Sequence, residues 1–153
     1  MVIPQMRLRL LRASGLEIGS ARIKSRVFFG SRNLKIGDGT FINVGSFFDG
    51  SARIEIGRGC SFGYGAMIST SGHSMGPSTA RAGADSALPV VVGDGVWVGA
   101  RAVILGGVSV GSGCVIAAGA VVIRDCAADG LYAGVPARRV RELGEDEGTG
   151  DGN

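Results

Sequence analysis

The chain has 153 residues, about the length of one domain. Glycine accounts for 28 of them, proline for only 4 and aromatic residues for 6%, which excludes collagen-like and proline-rich disordered proteins and indicates a narrow, regular core. The net charge is +3, but no basic run alternates with aromatic residues, so we expect no nucleic-acid partner.

The segment Arg7-Leu8-Arg9-Leu10-Leu11-Arg12 places three arginines close to the N-terminus. We interpret it as a short first strand or as a cap on the edge of the fold. The alternative is weak contact between these arginines and an anionic membrane surface. The first residues lack the charged-then-apolar order of a signal peptide, and no apolar run reaches ~18 residues.

A six-residue repeat runs through most of the chain. Its β-branched aliphatic positions are clearest in the second half, at Val92, Val98, Ile104, Val110, Ile116 and Val122. The same phase extends back to Ile56, Phe62 and Ile68, and the same six-residue spacing fits Ile18, Ile36 and Ile42. Between Ile42 and Ile56 the phase slips by two residues, which predicts a bulge or a widened turn near Asp49-Gly50.

A period of six matches neither the 3.6-residue period of a helix nor the two-residue period of a strand. It fits a short strand followed by a sharp turn, and three such units close a triangular coil. The repeat therefore predicts an all-β fold, a parallel β-helix with stacked aliphatic side chains in its centre. We expect one domain over residues 1–143, closed by a short C-terminal helix from Ala137 to Leu143. Residues 144–153 are acidic and glycine-rich, which predicts a disordered tail.

The three cysteines, Cys60, Cys114 and Cys126, are odd in number and lack CxxC spacing. This pattern argues against a disulfide framework and a zinc site, and it predicts a protein of the reducing cytoplasm with no metal. Cys60 and Cys114 fall on small inward positions of the repeat, so we expect them in the core.

The repeat pauses between Ile68 and Val92, where the sequence Ser69 to Thr79 is typical of an extruded loop. An interruption in so regular a scaffold is where a functional site is expected. The only histidine of the chain, His73, lies in this loop.

Four further segments carry a family resemblance: Val92-Gly-Asp-Gly-Val-Trp-Val-Gly-Ala, Ala102-Val-Ile-Leu-Gly-Gly-Val, Ala118-Gly-Ala-Val-Val and Ala133-Gly-Val-Pro-Ala-Arg. Residues 18–143, and most strongly residues 89–143, resemble the hexapeptide-repeat O-acetyltransferases of the maltose, galactoside and exopolysaccharide type. The resemblance implies a left-handed β-helix, acetyl-CoA as co-substrate and a homotrimer that holds acetyl-CoA between neighbouring prisms.

The resemblance also implies roles for individual residues. His73 follows a glycine and matches the catalytic histidine, for which we expect the role of general base towards an acceptor hydroxyl. Asn43, thirty residues earlier, matches a catalytic asparagine that either donates to the oxyanion or holds the acceptor. Arg81 matches a basic position often seen in this loop, for which we expect contact with the sugar, and we expect Asp49 either to hydrogen-bond the acceptor or only to shape the turn. The positions implied for coenzyme A are Trp97, Gly99, Ala100, Ala118, Ile123, Arg124, Pro136, Ala137, Arg138 and Arg141.

Two departures from the family pattern bear on the acceptor. The chain begins almost directly with coils, so we expect it to lack the N-terminal helical segment of the maltose type, and Asp49-Gly50-Ser51 stands where relatives often have paired acidic residues. We therefore expect a saccharide of surface or exopolysaccharide synthesis as acceptor. The alternatives are N-acetylation of serine or an amino sugar, and a non-catalytic β-helix for carbohydrate binding or assembly. A single histidine excludes a γ-class carbonic anhydrase, which needs three.

Overall fold

A computed structural model of the chain describes residues 4–144, which form one helix and nineteen strands. The helix, α1, spans Pro4–Ala13. The strands are β1 Glu17–Ile18, β2 Arg22–Ile23, β3 Phe28–Phe29, β4 Leu34–Ile36, β5 Phe41–Ile42, β6 Phe47–Phe48, β7 Ile54–Ile56, β8 Ser61–Phe62, β9 Met67–Ser69, β10 Ser71–Met75, β11 Ala82–Ala87, β12 Val90–Val92, β13 Trp97–Val98, β14 Val103–Leu105, β15 Ser109–Val110, β16 Val115–Ile116, β17 Val121–Val122, β18 Gly130–Ala133 and β19 Arg138–Glu142.

Three parallel sheets form the faces of a triangular prism, as the repeat predicts. Sheet A has the order β1-β4-β7-β12-β15, sheet B the order β2-β5-β8-β13-β16-β18-β19, and sheet C the order β3-β6-β9-β14-β17. The chain visits the sheets in the order A, B, C in each coil. Each strand pairs in parallel with the strand of the next coil, except that β19 is antiparallel to β18. We call the corner between sheets B and C the B/C edge, and the corner between sheets C and A the C/A edge.

The core is a stack of the aliphatic positions that the repeat identifies. Ile42, Ile104 and Ile116 are completely buried, and the rest of the repeat positions from Val92 to Val122 are nearly so. Burial of each such side chain stabilises the fold by about 1.5–3 kcal/mol, which explains why such short strands persist. Cys60, Cys114 and Cys126 are also buried in this core, as predicted for the first two.

The predicted phase slip is a widened turn at the C/A edge. Lys35 of β4 pairs with Glu55 of β7, twenty residues later, whereas Val91 pairs with Ser109, eighteen residues later. The two extra residues lie between β6 and β7. Gly50 adopts φ +65° in this turn, and its carbonyl oxygen accepts a hydrogen bond from the Ser31 hydroxyl of the coil below.

Of the two structures expected for the N-terminal segment, the strand was wrong and the cap is confirmed. Residues 4–13 are the helix α1. The lack of a maltose-type helical segment stays a prediction. Leu8 and Leu11 pack against the core at one end of the prism, and Arg12 donates to the carbonyl oxygens of Ile18 and Gly19 at 2.8 and 2.6 Å. The segment is therefore a cap on the first coil. Within residues 4–144, no helix has the length and apolar content required to cross a membrane.

The expectation of a C-terminal helix from Ala137 to Leu143 was also wrong. Residues Arg138–Glu142 form β19, which turns back on β18 and pairs Arg141 with Leu131 and Arg138 with Ala133. Gly134, with φ +95°, lies in the reversal between the two strands. The local sequence favours a helix, but the last coil offers a row of unpaired backbone groups that an added strand satisfies. The predicted tail, apart from Gly144, lies outside the described residues.

Candidate active site

A groove of about 590 Å³ runs along the outer face of sheet B and over the B/C edge. Its floor is a row of outward side chains in register on successive coils: Phe41, Ser61, Trp97, Val115 and Leu131. Trp97 is 58% exposed, so its indole forms a wall of the groove and is not a core residue. Four residues predicted to bind coenzyme A, Trp97, Gly99, Ala100 and Ala118, line this one groove, together with Asn43.

Small residues keep the groove open, but they do so for two different reasons. A Cβ on Gly99 would lie 2.5 Å from the backbone nitrogen of Ala118, so this glycine is required by the close stacking of the next coil. Ala100 and Ala118 themselves face the groove, where a larger side chain would fill it. The residues therefore leave room for an extended, narrow ligand such as a pantetheine arm, and their contact with coenzyme A stays a prediction.

The upper end of the groove is bordered by β18 and β19. Leu131 lines the groove, and Arg141 lies opposite it in the antiparallel pair, so the two side chains share the outer face. Arg138 is paired with Ala133 on the same face, and both arginines are exposed. Pro136 and Ala137 lie in the turn above β17, where the Ala137 nitrogen donates to the Val121 carbonyl at 2.8 Å. Guanidinium groups at this position can bind phosphate oxygens in a bidentate manner.

Asn43 lies at the lower end of the groove, at the turn that follows β5. Its side-chain Oδ1 accepts a hydrogen bond from the Val44 backbone nitrogen at 2.9 Å, which holds the amide in one orientation. Within residues 4–144 the Nδ2 group donates to no protein acceptor. The half-buried amide therefore presents an N–H donor at the groove.

His73 lies on a β-hairpin that projects from the C/A edge. The hairpin consists of β10 and β11, paired antiparallel with His73 opposite Asp85. The predicted extruded loop therefore exists as a two-stranded projection. The Nδ1 atom of His73 is 3.2 Å from the carbonyl oxygen of Gly83 and 3.2 Å from Oδ1 of Asp85. Both neighbours are acceptors, so Nδ1 carries the proton and Nε2 of the neutral ring has a free lone pair. The side chain is half exposed.

Asp49 anchors the base of this hairpin. Its carboxylate accepts hydrogen bonds from the backbone nitrogens of Thr70 and Ser71, at 2.9 and 2.8 Å, and from the Thr70 hydroxyl. Burial raises the pKa of Asp49, but the hydrogen bonds from Ser71 and Thr70 outweigh this effect and bring the pKa down to about 2. These contacts match the turn-shaping role of Asp49; contact with an acceptor stays a prediction.

The remaining predicted residues also lie near the C/A edge. Arg81 precedes β11 at the tip of the hairpin and donates to the Gly76 carbonyl at 3.3 Å. Ile123 and Arg124 follow β17, on the same edge of the prism as the hairpin, and both are exposed. A single chain therefore does not bring Asn43 and His73 together: Asn43 is at the B/C edge and His73 at the C/A edge.

The structure adds residues that the sequence reasoning missed. Phe41, Tyr64 and Leu131 line the groove, and Asp85 contacts His73. Phe41 and Leu131 each precede an inward residue of sheet B, as Trp97 does, so reading every third unit of the repeat at that position would have identified them. Asp85 depends on the hairpin register, which has no comparable sequence signal.

A larger hollow of about 710 Å³ lies along sheet A and contains none of the predicted site residues. Arg53 bridges Glu17 and Glu55 on this sheet, with nitrogen–oxygen distances of 2.9 and 3.2 Å. The charges on sheet A are thus largely paired with one another, so we place the donor part of the site at the smaller groove on sheet B, which contains Asn43 and four of the residues predicted to bind coenzyme A.

Comparison with known proteins agrees with this geometry. The family described as bacterial transferase hexapeptide (six repeats) matches residues 89–124. A putative acetyltransferase of Saccharomyces cerevisiae is 36% identical over 117 residues, which cover 76% of this chain and 60% of the yeast protein. The hexapeptide-repeat-containing acetyltransferase of Vibrio cholerae is 32% identical with a TM-score of 0.85, covering 95% of this chain and 84% of that one, and a second structure of it holds acetyl coenzyme A. A galactoside acetyltransferase in complex with coenzyme A is 27% identical with a TM-score of 0.84, covering 92% of this chain and 71% of that one.

The chain belongs to the hexapeptide-repeat acetyltransferase family, and its fold is the left-handed parallel β-helix of that family. It spans about 60% of the length of the yeast protein, the first of its curated relatives.

Proposed function

We propose that the protein is an acetyl-CoA-dependent O-acetyltransferase that transfers the acetyl group to a saccharide hydroxyl. The observation that carries the proposal is the arrangement around His73. Its Nδ1 is held by the Gly83 carbonyl and Asp85, which leaves Nε2 as a proton acceptor. The groove on sheet B, with small residues along its length and arginines at its upper end, supports acetyl-CoA as the donor.

The reaction requires the chain to accept a proton from the acceptor hydroxyl and to stabilise the negative charge that develops on the thioester oxygen. As the acceptor oxygen attacks the thioester carbonyl, Nε2 of His73 takes the hydroxyl proton, because an un-ionised hydroxyl is a weak nucleophile at neutral pH. The C–S bond then breaks, and the proton on His73 passes to the departing sulfur, so that the products are the acetyl ester and free coenzyme A. Negative charge develops on the carbonyl oxygen during attack. The Nδ2 group of Asn43, whose Oδ1 is already bound to Val44, is oriented to donate to that oxygen.

These two residues meet only if copies of the chain assemble. The outer face of sheet C carries a row of apolar side chains in register: Phe28, Phe47, Met67, Val103 and Val121. The Phe28 and Phe47 rings stack with centroids 4.6 Å apart, yet Phe28 remains 51% exposed. The equivalent row on sheet A is mostly polar: Glu17, Lys35, Glu55, Val91 and Ser109. An exposed apolar row of this kind is typical of a protein interface.

A homotrimer with sheet C towards its threefold axis would bring Asn43 and His73 together and would also bury the apolar row on sheet C. Sheet C lies between the B/C edge and the C/A edge, so three such faces around one axis bring the B/C edge of each copy against the C/A edge of the next. Asn43 of one chain then approaches His73, Arg81 and Arg124 of its neighbour. This arrangement accounts for the division of the predicted site residues between two edges.

Thiol release from acetyl-CoA across a panel of saccharides, amino sugars and serine tests the proposal. We expect saccharide-dependent release, and a loss of about 10²–10⁴-fold in kcat for His73→Ala, which is the range for removal of a general base. Coenzyme A binding by calorimetry should survive the substitution. An unchanged rate in His73→Ala would refute the role of His73, release with only amines would redirect the activity to N-acetylation, and no detectable coenzyme A binding would refute the transferase itself.

A further inference from the structure

The first coil of the prism has an uncompensated positive charge. From β1 to the end of the turn after β3, residues 17–33 contain four basic residues and one acidic residue, Glu17, whose carboxylate is already paired with Arg53. Three of them, Arg22, Lys24 and Arg26, lie along β2 and the following turn, on the side that leads to the B/C edge. All three are exposed. This cluster, which we call the lower basic cluster, has no role in the mechanism described so far.

The lower basic cluster lies directly below Asn43. Arg22 pairs with Phe41 and Ile23 with Ile42, and the Lys24 nitrogen donates to the Ile42 carbonyl at 2.9 Å. Lys24 is therefore one coil below Asn43, a step of about 4.8 Å. The Arg22 guanidinium carbon lies 5.2 Å from the centroid of the Phe41 ring, a residue that lines the groove. The cluster thus continues the groove beyond its lower end.

No carboxylate among residues 4–144 neutralises these three side chains, since none of them forms an ion pair there. Helix α1, which packs against β2, has the sequence PQMRLRLLRA and so adds only arginines. The acidic residues of the second coil are engaged elsewhere. Asp38 accepts from Ser20, and Asp49 accepts from Thr70 and Ser71 at the C/A edge. The lower end of the groove is consequently attractive to an anion.

We propose that the acceptor is an anionic saccharide, whose carboxylate or phosphate is bound by Arg22 and Lys24. The inference rests on the proposed function and names the substrate class of the same site. The donor occupies the groove above Asn43, with its phosphates near Arg138 and Arg141, so the acceptor hydroxyl must reach Asn43 from below. A saccharide on that path passes the lower basic cluster. A neutral sugar would leave these cations unpaired.

Kinetics with matched acceptors test the inference. The probes are galactose, galacturonate and galactose 1-phosphate, which separate a neutral sugar from a carboxylate and from a phosphate. We expect kcat/KM to be at least about tenfold higher for an anionic probe than for galactose, the value of one charge-assisted hydrogen bond. Lys24→Gln and Arg22→Gln should remove most of that preference while leaving KM for acetyl-CoA unchanged. Lys35→Gln is the matched control, because Lys35 is also an exposed cation near this end of the prism but lies one coil higher and on sheet A.

The outcomes separate this inference from the proposed function. If thiol release depends on His73 but is equal for galactose and both anionic probes, the acceptor class is wrong and the transferase stands. If no probe yields thiol release and calorimetry detects no difference between galactose and galacturonate binding, the inference fails, whereas the proposed function fails only if coenzyme A binding is also undetectable. If Lys24→Gln keeps the preference for anionic probes but loses binding to phosphatidylserine vesicles, the lower basic cluster serves a membrane surface and the inference is overturned.

Discussion

Nδ1 of His73 lies 3.2 Å from Oδ1 of Asp85, its partner across the antiparallel strands β10 and β11. The Gly83 carbonyl oxygen lies at the same distance from Nδ1. The imidazole is therefore oriented by one backbone acceptor and one side-chain acceptor, and the two contributions can be separated by mutation.

We expect Asp85→Asn to lower kcat by no more than about fivefold, because a contact with so exposed a carboxylate contributes little and the Gly83 carbonyl still accepts the Nδ1 proton. KM for both substrates should stay unchanged. Steady-state kinetics beside His73→Ala checks this. A loss as large as that of His73→Ala would mean that Asp85, and not the backbone, determines the tautomer.

Asp49 makes stability depend on pH in the acid range. The pKa of its carboxyl is about 2 in the folded protein, below its ordinary value of 3.8, so the unfolded chain binds more protons in that interval. The stabilising contribution is full above about pH 4 and is lost as the pH falls towards 2. Asp49→Asn should reduce the free energy of unfolding by about 1–2 kcal/mol at pH 7, after allowance for solvent screening.

Denaturant unfolding of both proteins at several pH values measures this effect. The difference between wild type and Asp49→Asn should shrink below pH 4 and vanish near pH 2. A difference that is constant across this interval would show that the carboxylate charge is irrelevant to the hairpin base.

Gly99 and Gly119 offer a matched pair at the B/C edge. A Cβ on Gly99 would lie 2.5 Å from the backbone of Ala118, whereas a Cβ on Gly119 would meet nothing within 4 Å, although Gly119 has φ +69°. We expect Gly119→Ala to cost about 1–2 kcal/mol through backbone strain alone. Gly99→Ala should cost about 3 kcal/mol or more, because adjacent coils must separate. Thermal unfolding compares the two, and equal losses would contradict the stacking argument.

If the apolar row on sheet C is the trimer interface, a charged side chain introduced into that row should disrupt assembly. Met67→Glu should convert the proposed trimer to monomers and abolish activity, because a carboxylate in an apolar interface has no partner. Val91→Glu is the control, since Val91 occupies the equivalent row on sheet A and is 45% exposed. Sedimentation measures the assembly state. A monomeric wild type, or a trimer that only Val91→Glu disrupts, would place the interface elsewhere.

Mixing two inactive variants tests whether the site forms between chains. When Asn43→Ala and His73→Ala are unfolded together and refolded at equal amounts, random trimers contain an intact pair at about a quarter of their sites, so we expect about a quarter of the wild-type activity. Each variant refolded alone is the control. No recovery in the mixture would indicate that Asn43 and His73 act within one chain.

The inward positions of the repeat were predictable because the local sequence of each six-residue unit sets the direction of its own side chains. A β-branched residue every six positions specifies the strand, the turn and the direction of the side chain at once. The widened turn near Asp49 was visible for the same reason, as a local break of phase. The two ends of the prism were not predictable in this way. Because α1 and β19 cover the exposed edges of the first and last coils, their conformations depend on packing against or pairing with those coils and not on a local repeat.

The sequence alone thus determined the coil and its inward and outward positions, and it singled out His73 in the segment that interrupts the repeat. Only the tertiary structure decided which residues meet, because stacking joins positions far apart in the chain, such as Lys35 and Glu55 at twenty residues or Val91 and Ser109 at eighteen. Asn43 and His73, thirty residues apart, are not a whole number of coils apart and emerge at different edges of sheet C. Their separation in one chain is the physical reason why we propose an active site shared between copies.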